Sequence, residues 1–306
     1  MPELPEVEST VRFLRERVIG EVLSSIHVHW ARSLSPLSLA GYANLLRGSA
    51  IERVERRGKY IVMEVASGSS RRGSRFYVLV HLRMSGNLDV VPHGVPLHSH
   101  DRVVFGFESG RELRFNDTRK FGRVYVVSDP QKVVGALGVE PLSSEFTPRS
   151  LGVILEKKKR ALKPLLLDQT LIAGIGNIYA DEALWRAGLH PLTVGYKVEP
   201  SKCELLHRVI QEILHEAIDS QGTDFGDGVV EMGNYAPAVY GRGDEPCKRC
   251  GTRIVRMVVG QRGTHFCPRC QPQPRGTKQK LRRSNPGSPQ TVARLVSASS
   301  RRKKRR

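Results

Sequence analysis

The sequence predicts an α+β chain of several modules: an N-terminal β-sandwich or barrel with flanking helices, then a helical module, then a small metal-pinned β-hairpin. Three observations predict it. Short apolar runs separated by Gly, Ser, Pro and Asn clusters fill residues 24–127, apolar residues recur every three or four positions after Pro148, and two C-x2-C pairs stand near residue 260. At 306 residues the chain has room for two or three such modules, each with its own core or its own staple.

Taken in order, the chain begins MPELPEVEST, and Leu4, Val7, Val11, Leu14 and Val18 then recur at helical spacing. Pro5 suits the first turn of that helix, where a missing N–H costs nothing. Pro2 and Glu3 then stand just ahead of the helix N-terminus, with Glu6 in its first turn, where carboxylates are favoured. The β region follows, with YIVMEV (60–65), FYVLVHLRM (76–84), RVVFGF (102–107), RELRF (111–115) and RVYVV (123–127) as strands and SGSSRRGSR (67–75) as a hairpin loop. FNDTRKFG (115–122) joins two of these runs, which puts Arg119 and Phe121 at or near a hairpin tip.

Beyond Pro148, residues 150–169 read as helix with Pro164 marking a break or a new start. NIYADEALWRAG (177–188) reads as a helix closed by Gly188, with Pro191 three residues on. Residues 201–222 read as a third helix with an apolar stripe, a Ser201/Glu204 capping box and a terminal Gly222, and Cys203 on the stripe's edge reads as a core thiol.

Cys247, Cys250, Cys267 and Cys270 form C-x2-C-x16-C-x2-C, the spacing of a four-thiolate structural zinc site. TRIVRMVV (252–259) alternates like a strand and GQRGT (260–264) makes a turn, so the metal pins a hairpin. Disulfides are the competing reading, and spacing alone does not separate iron from zinc.

Composition narrows the function. The formal net charge is +19, and the segment from Gln271 onward holds 12 Lys or Arg and no acid; without it the body still carries 37 basic against 30 acidic residues. A basic body points to a polyanionic partner such as nucleic acid. The tail is Pro, Gly, Ser, Gln and basic, reads as disordered, and fits either a nonspecific DNA anchor or an address signal. No apolar run approaches the roughly 18 residues a spanning helix needs, and no export signal opens the chain, so we expect a soluble intracellular protein.

Several motifs carry two readings each. GIGN (174–177) opens a helix whose free N–H groups offer an anion site for a backbone phosphate, or is a tight turn. KKKR (157–160) with Lys163 lines a nucleic-acid groove or is a solvated helix face. Phe121 beside Arg119, and Met84 in HLRMSG, are wedge residues for a base stack or core residues. An N-terminal α-amino group titrates roughly two units or more below a lysine and is nucleophilic near neutral pH, and a proline amine attacking a sugar aldehyde carbon yields a cationic iminium that drives elimination. PELPE is therefore either a nucleophile, once Met1 is removed and Pro2 is exposed, with Glu3 and Glu6 as local acid, base or positioning groups, or only a rigid start to a helix.

MPELPEVE, RRGKY (56–60), HLRMSG (81–86), FNDTRKFG (115–122), DQTLIAGIGNIYADEALWRAGLHP (168–191), VYGRGDEPCKRCG (239–251) and GQRGTHFCPRCQ (260–271) together resemble formamidopyrimidine-DNA glycosylase, in order and over nearly the whole chain to about Gln271. The resemblance implies an α+β multidomain fold: an N-terminal β-sandwich catalytic domain (1–140), a helix-two-turn-helix domain (141–232), a zinc-finger hairpin (233–271) and a basic tail (272–306). It implies a monomer acting on damaged double-stranded DNA, with one structural zinc and no nucleotide cofactor, in a bacterial cytoplasm beside the nucleoid or in a eukaryotic nucleus. The implied reaction excises oxidised purines, 8-oxoguanine and formamidopyrimidines, and cleaves the strand by β,δ-elimination. By position Pro2 is the nucleophile at C1′, Glu3 the acid that assists ring opening, Glu6 a support at the same site, and Lys59 a phosphate contact that assists catalysis. Met84, Arg119 and Phe121 fill the gap left by the flipped nucleotide, Arg119 facing the orphaned cytosine, and Asn177 and Arg262 grip phosphates, with Lys163 also on the DNA-binding side. Between GTDFGDG (222–228) and VYGR (239–242) the chain departs from the family's loop pattern, which leaves the preference between 8-oxoguanine and formamidopyrimidines open. Two other readings remain: an endonuclease VIII-like enzyme for oxidised pyrimidines and a noncatalytic damage binder.

Overall fold

The computed structural model describes residues 2–67, 75–223 and 233–274. Residues 68–74 of the expected hairpin loop (67–75), part of the departing loop (224–232) and the basic tail from 275 lie outside the described residues.

Helix α1 (Leu4–Val18) starts where the proline predicts, with Glu3 as its N-cap and Glu6 completing a capping box. Its Val7, Val11, Leu14 and Val18 face the core of two four-stranded antiparallel sheets. One sheet runs β1 (Leu23–Val28), β6 (Asp101–Phe107), β7 (Arg111–Asp117), β5 (Gly86–Pro92); the other runs β2 (Ser49–Arg57), β3 (Tyr60–Ser67), β4 (Arg75–His81), β8 (Arg123–Val127). Ile51, Val54, Ile61, Met63 and Val78 of the second sheet meet Phe105, Leu113 and Phe115 of the first in that one core, and the short helix α2 (Tyr42–Leu46) adds Leu46. The N-terminal module is a β-sandwich.

The segment 118–122 corrects one expectation. It follows β7 in one sheet and leads to β8 in the other, so it is a crossover between the sandwich's layers and not a hairpin tip. Asp117, fully buried, shapes it: its carboxylate accepts from Ser85 Oγ (2.6 Å), Arg119 N (3.2 Å) and Gly122 N (2.7 Å). The same carboxylate thereby ties the crossover to the 82–85 turn that carries Met84.

A short helix α3 (Gln131–Val134) leads to the helical module, α4 (Pro148–Glu156), α5 (Leu162–Leu166), α6 (Asn177–Ala187) and α7 (Pro200–Asp219), which share a second core. Pro164 lies in the first turn of α5, and KKKR falls at the end of α4 and in the loop beyond it instead of within a helix. The expected capping box of α7 is absent: the helix begins one residue earlier at Pro200, with Glu199 as N-cap and no side-chain cap bond. Proline at the first helical position outcompetes the Ser201 signal. At its other end α7 stops at Asp219, and Gln221 and Gly222 both take positive φ.

The C-terminal hairpin pairs β9 (Val255–Val259) with β10 (Arg262–Phe266). Gly260 (φ 54°) and Gln261 (φ 63°) supply the two positive φ values that a two-residue type I′ turn requires.

Candidate active site

The site forms where the start of α1 meets the start of α6. Gly174, at φ 90°, accepts a hydrogen bond at its carbonyl from Leu4 N (3.1 Å), which lays the first residues of the chain along the loop ahead of α6. Glu3 then occupies the N-terminus of α6: Ile178 N donates to its Oε1 (3.0 Å) and Tyr179 N to its Oε2 (3.4 Å). Gly176 is required here, because a Cβ at that position would stand 2.2 Å from Glu3 Cδ. The anion site expected for a phosphate at GIGN is therefore filled by the protein's own carboxylate, since the helix N–H groups already have a charged acceptor.

Glu6 is the second centre. Its carboxylate, fully buried, accepts from Glu3 N (2.8 Å), Tyr179 hydroxyl (2.6 Å) and Thr223 N (2.9 Å). The first of these fixes the peptide that joins Pro2 to Glu3, and so fixes how Pro2 is presented. Pro2 is itself buried in the chain that still carries Met1, and the nucleophile reading requires that Met1 be removed and Pro2 exposed.

Lys59 reaches the same region from the β2–β3 turn, buried apart from 7% of its surface. Burial pushes the Glu3 carboxyl above the usual carboxylate range, and Lys59 opposes that shift. Burial likewise holds the Lys59 ammonium below the usual lysine range, with Glu3 and Glu6 pulling it back up. An acid shifted up and an amine shifted down are both moved toward the range in which protons are exchanged at a sugar. Beside them His81 stacks edge-on against Tyr60 (4.6 Å between centroids), accepts from Arg83 N (3.0 Å), and is pushed down to about 3 by burial, then by Arg83 and Lys59.

Met84, Arg119 and Phe121 stand together on the sandwich's surface. Arg119 N donates to Ser85 Oγ (3.0 Å), its guanidinium reaches Met84 Sδ (3.6 Å), and Met84 and Phe121 are 44% and 54% exposed. Large apolar side chains left in water on a braced loop have the form of a wedge, not of a core.

Lys163 corrects another expectation. It is fully buried, and its Nζ donates to Asp181 Oδ1 (2.6 Å) and to Gly263 O (2.9 Å), so no surface is left for DNA. Asp181 Oδ2 accepts from His265 N (2.9 Å), and Asn177 Nδ2 also donates to Gly263 O (3.0 Å). The ion pair pins the hairpin to α5 and α6, and leaves Arg262 exposed at the hairpin's turn.

The four cysteine sulfurs lie within 4.8 Å of one another. Their shorter separations are 3.4, 3.5 and 3.9 Å, against about 3.8 Å for sulfurs placed tetrahedrally at 2.3 Å from zinc and about 2.05 Å for a disulfide. The cluster fits one structural zinc and excludes the disulfide reading. It sits on the far end of α6: Arg249 donates to the carbonyls of Trp185 and Arg186, and Gln271 Nε2 to that of Leu189. Glu182 anchors the approach by accepting from the backbone N–H groups of Ala238, Val239 and Tyr240.

Tyr179, Thr223, Asp117, Asp181 and His81 were not singled out in sequence. The one local signal was Asp181 beside Glu182 in the middle of an eleven-residue helix whose other central residues are apolar or aromatic, since paired carboxylates in such a setting need buried partners.

A sandwich, a helical module and a zinc hairpin converging on a buried carboxylate–amine site beneath an exposed wedge define a DNA-processing enzyme built around its own N-terminus. Family models for the formamidopyrimidine-DNA glycosylase N-terminal domain, its H2TH domain and the zinc finger found in FPG and IleRS match residues 1–124, 137–227 and 244–273. Relatives named formamidopyrimidine-DNA glycosylase from Protochlamydia amoebophila and Rippkaea orientalis are 39% and 42% identical, covering 89% of this chain and 99% and 100% of theirs. Lactococcus lactis Fpg in complex with abasic-site DNA superposes with TM-score 0.79 at 36% identity, and MutM bound to carbocyclic 8-oxo-G DNA with TM-score 0.80 at 37%, each covering 89% of this chain and all of that one. The chain belongs to the formamidopyrimidine-DNA glycosylase family, whose members are DNA glycosylases with AP lyase activity.

Proposed function

We propose that this chain, as a monomer on duplex DNA, excises 8-oxoguanine and formamidopyrimidines and then cuts the strand, with Pro2 as nucleophile. Once Met1 is removed, the Pro2 amine attacks C1′ of the flipped nucleotide, and the base leaves with the glycosidic electron pair and takes up the proton that the amine sheds. Glu3 delivers a proton to the ring oxygen as the sugar opens, giving an iminium between Pro2 and C1′. Loss of a C2′ proton then expels the 3′-phosphate, and a second elimination expels the 5′-phosphate. Lys59, Asn177 and Arg262 hold the phosphates, while Met84, Arg119 and Phe121 fill the vacated stack. Extrusion costs a few kcal/mol and is cheapest for a damaged base.

One observation carries this reading: the Pro2–Glu3 peptide is held by Glu6 while the Glu3 carboxylate is held by α6, with Lys59 close enough to perturb it. The test is borohydride trapping on duplexes with 8-oxoguanine opposite cytosine, followed by peptide mapping. We expect an adduct on a peptide beginning at Pro2, and one that forms far more slowly with Pro2→Gly, whose N-terminal amine is primary. Trapping that survives Pro2→Gly unchanged refutes the assignment, and no adduct with any lesion favours a noncatalytic binder.

A second substrate class has support of its own, because another similar structure is Lactococcus lactis Fpg with DNA containing an oxidized pyrimidine. A matched panel of lesion duplexes ranks the two. No described helix is long and apolar enough to cross a membrane; because the substrate is duplex DNA, we place the chain in a bacterial cytoplasm beside the nucleoid or in a eukaryotic nucleus.

A further inference from the structure

Trp185 lies in the last turn of α6, buried against Val239, Cys247, Ile254 and Cys267. Its indole N–H points at a sulfur: Nε1 donates to Cys247 Sγ at 3.4 Å. An indole N–H can only donate, and burying it without an acceptor is costly. A neutral thiol is a weak acceptor, whereas a metal-bound thiolate carries the charge that makes the bond worth forming.

Cys247 Sγ accepts a second N–H, from Arg249 N at 3.4 Å. The Arg249 guanidinium lies over the Trp185 ring, 4.4 Å from its centroid, while donating to the carbonyls of Trp185 and Arg186. The ring is thus sandwiched between the cluster it bonds and a cation that caps its own helix. Among the described residues, Cys247 is the one zinc-site sulfur that accepts a hydrogen bond from outside the zinc module.

We propose that Trp185 is a positioning residue for the zinc site: its N–H orients Cys247 as a thiolate ligand and couples metal retention to α6. Ligand partners of this kind typically change metal affinity by about 10–100-fold when removed. Core packing alone predicts a loss of stability with no change at the metal.

The experiment compares full-length protein with Trp185→Phe, loaded with zinc or with cobalt(II). We expect zinc to pass to a competing chelator at least tenfold more readily in the variant, and the sulfur-to-cobalt charge-transfer band to shift. Val239→Ala removes packing from the same cluster without deleting a hydrogen-bond donor to a sulfur, so it should lower the unfolding midpoint and leave both metal readouts at wild-type values. Should Trp185→Phe fold poorly, benzothienylalanine at this position keeps the ring shape and deletes only the donor. Superimposable cobalt spectra and equal zinc retention in the donor-deleted protein overturn the proposal, as does an equal band shift in Val239→Ala.

Discussion

Replacing Lys163 with Met separates a structural pin from a DNA contact. The side chain is nearly isosteric, so the change removes a charge and two hydrogen bonds and leaves Asp181 buried with only His265 N as a donor. Both partners are 0% exposed, and stranding one member of such a pair costs about 3–5 kcal/mol. At about 2–4 °C per kcal/mol for a chain of this size, the unfolding midpoint should fall by roughly 6–20 °C. Adding Asp181→Asn removes the stranded charge and keeps an acceptor for His265 N, so the double variant should regain at least half of that loss. The DNA assay supplies the second arm: log Kd against log salt at a temperature where all proteins are folded. A lost phosphate contact lowers the slope by about 0.9 in both variants, whereas a lost pin leaves the slope of the double variant at the wild-type value. A single variant with an unchanged midpoint and a slope reduced by 0.9 refutes the burial argument.

Two further outcomes follow from the site. Tyr179→Phe takes one of three donors from Glu6 without opening a cavity, and a hydrogen bond to a charged group is worth about 1.5–3 kcal/mol; single-turnover trapping at saturating DNA should slow by roughly tenfold or more with Kd unchanged, and an equal rate dismisses Glu6 as the support for Pro2. His81 and His190 are pushed down by burial to about 3 and about 4, below the ordinary 6.5, so the unfolded chain binds protons that the folded one refuses. Their contribution to stability is complete above about pH 6.5 and is lost as pH falls toward those values. Urea midpoints should therefore drop between pH 7.5 and pH 5, and His190→Asn, which keeps an acceptor for Leu192 N, should flatten the drop; a midpoint that rises on acidification contradicts the sign.

Signals that were local and strong were legible. Pro5, Gly188 and the C-x2-C pairs each fix a backbone or a chemistry within a few residues, and α1, α6 and the zinc hairpin stand where those signals put them. β2 was missed because SAIERVERR carries five charges and buries only Ile51, Val54 and its first serine, so no alternation announced it. The crossover at 118–122 was misread for a different reason, since turn chemistry says nothing about which sheet the next strand joins. Lys163 looked like a solvent-facing basic residue because its partner lies 18 residues away in another helix. Glu6 was placed in sequence, but the hydroxyl and amide that hold it come from α6 and from beyond α7, distances that no local pattern encodes.

The capping of α6 by Glu3 bears on how this enzyme can evolve. Polar groups kept for catalysis usually burden a fold, so that replacing them stabilises the protein at the expense of activity. Here the acid satisfies the first amides of a buried helix, and Gly176 has no side chain because that carboxylate fills the space. Truncation at position 3 therefore meets two penalties at once, one on turnover and one on folding, because it leaves two helix amides without an acceptor and a gap against Gly176. Selection for a folded chain alone favours a side chain of this length with an acceptor at its end, and leaves only the choice of acid over amide to catalysis.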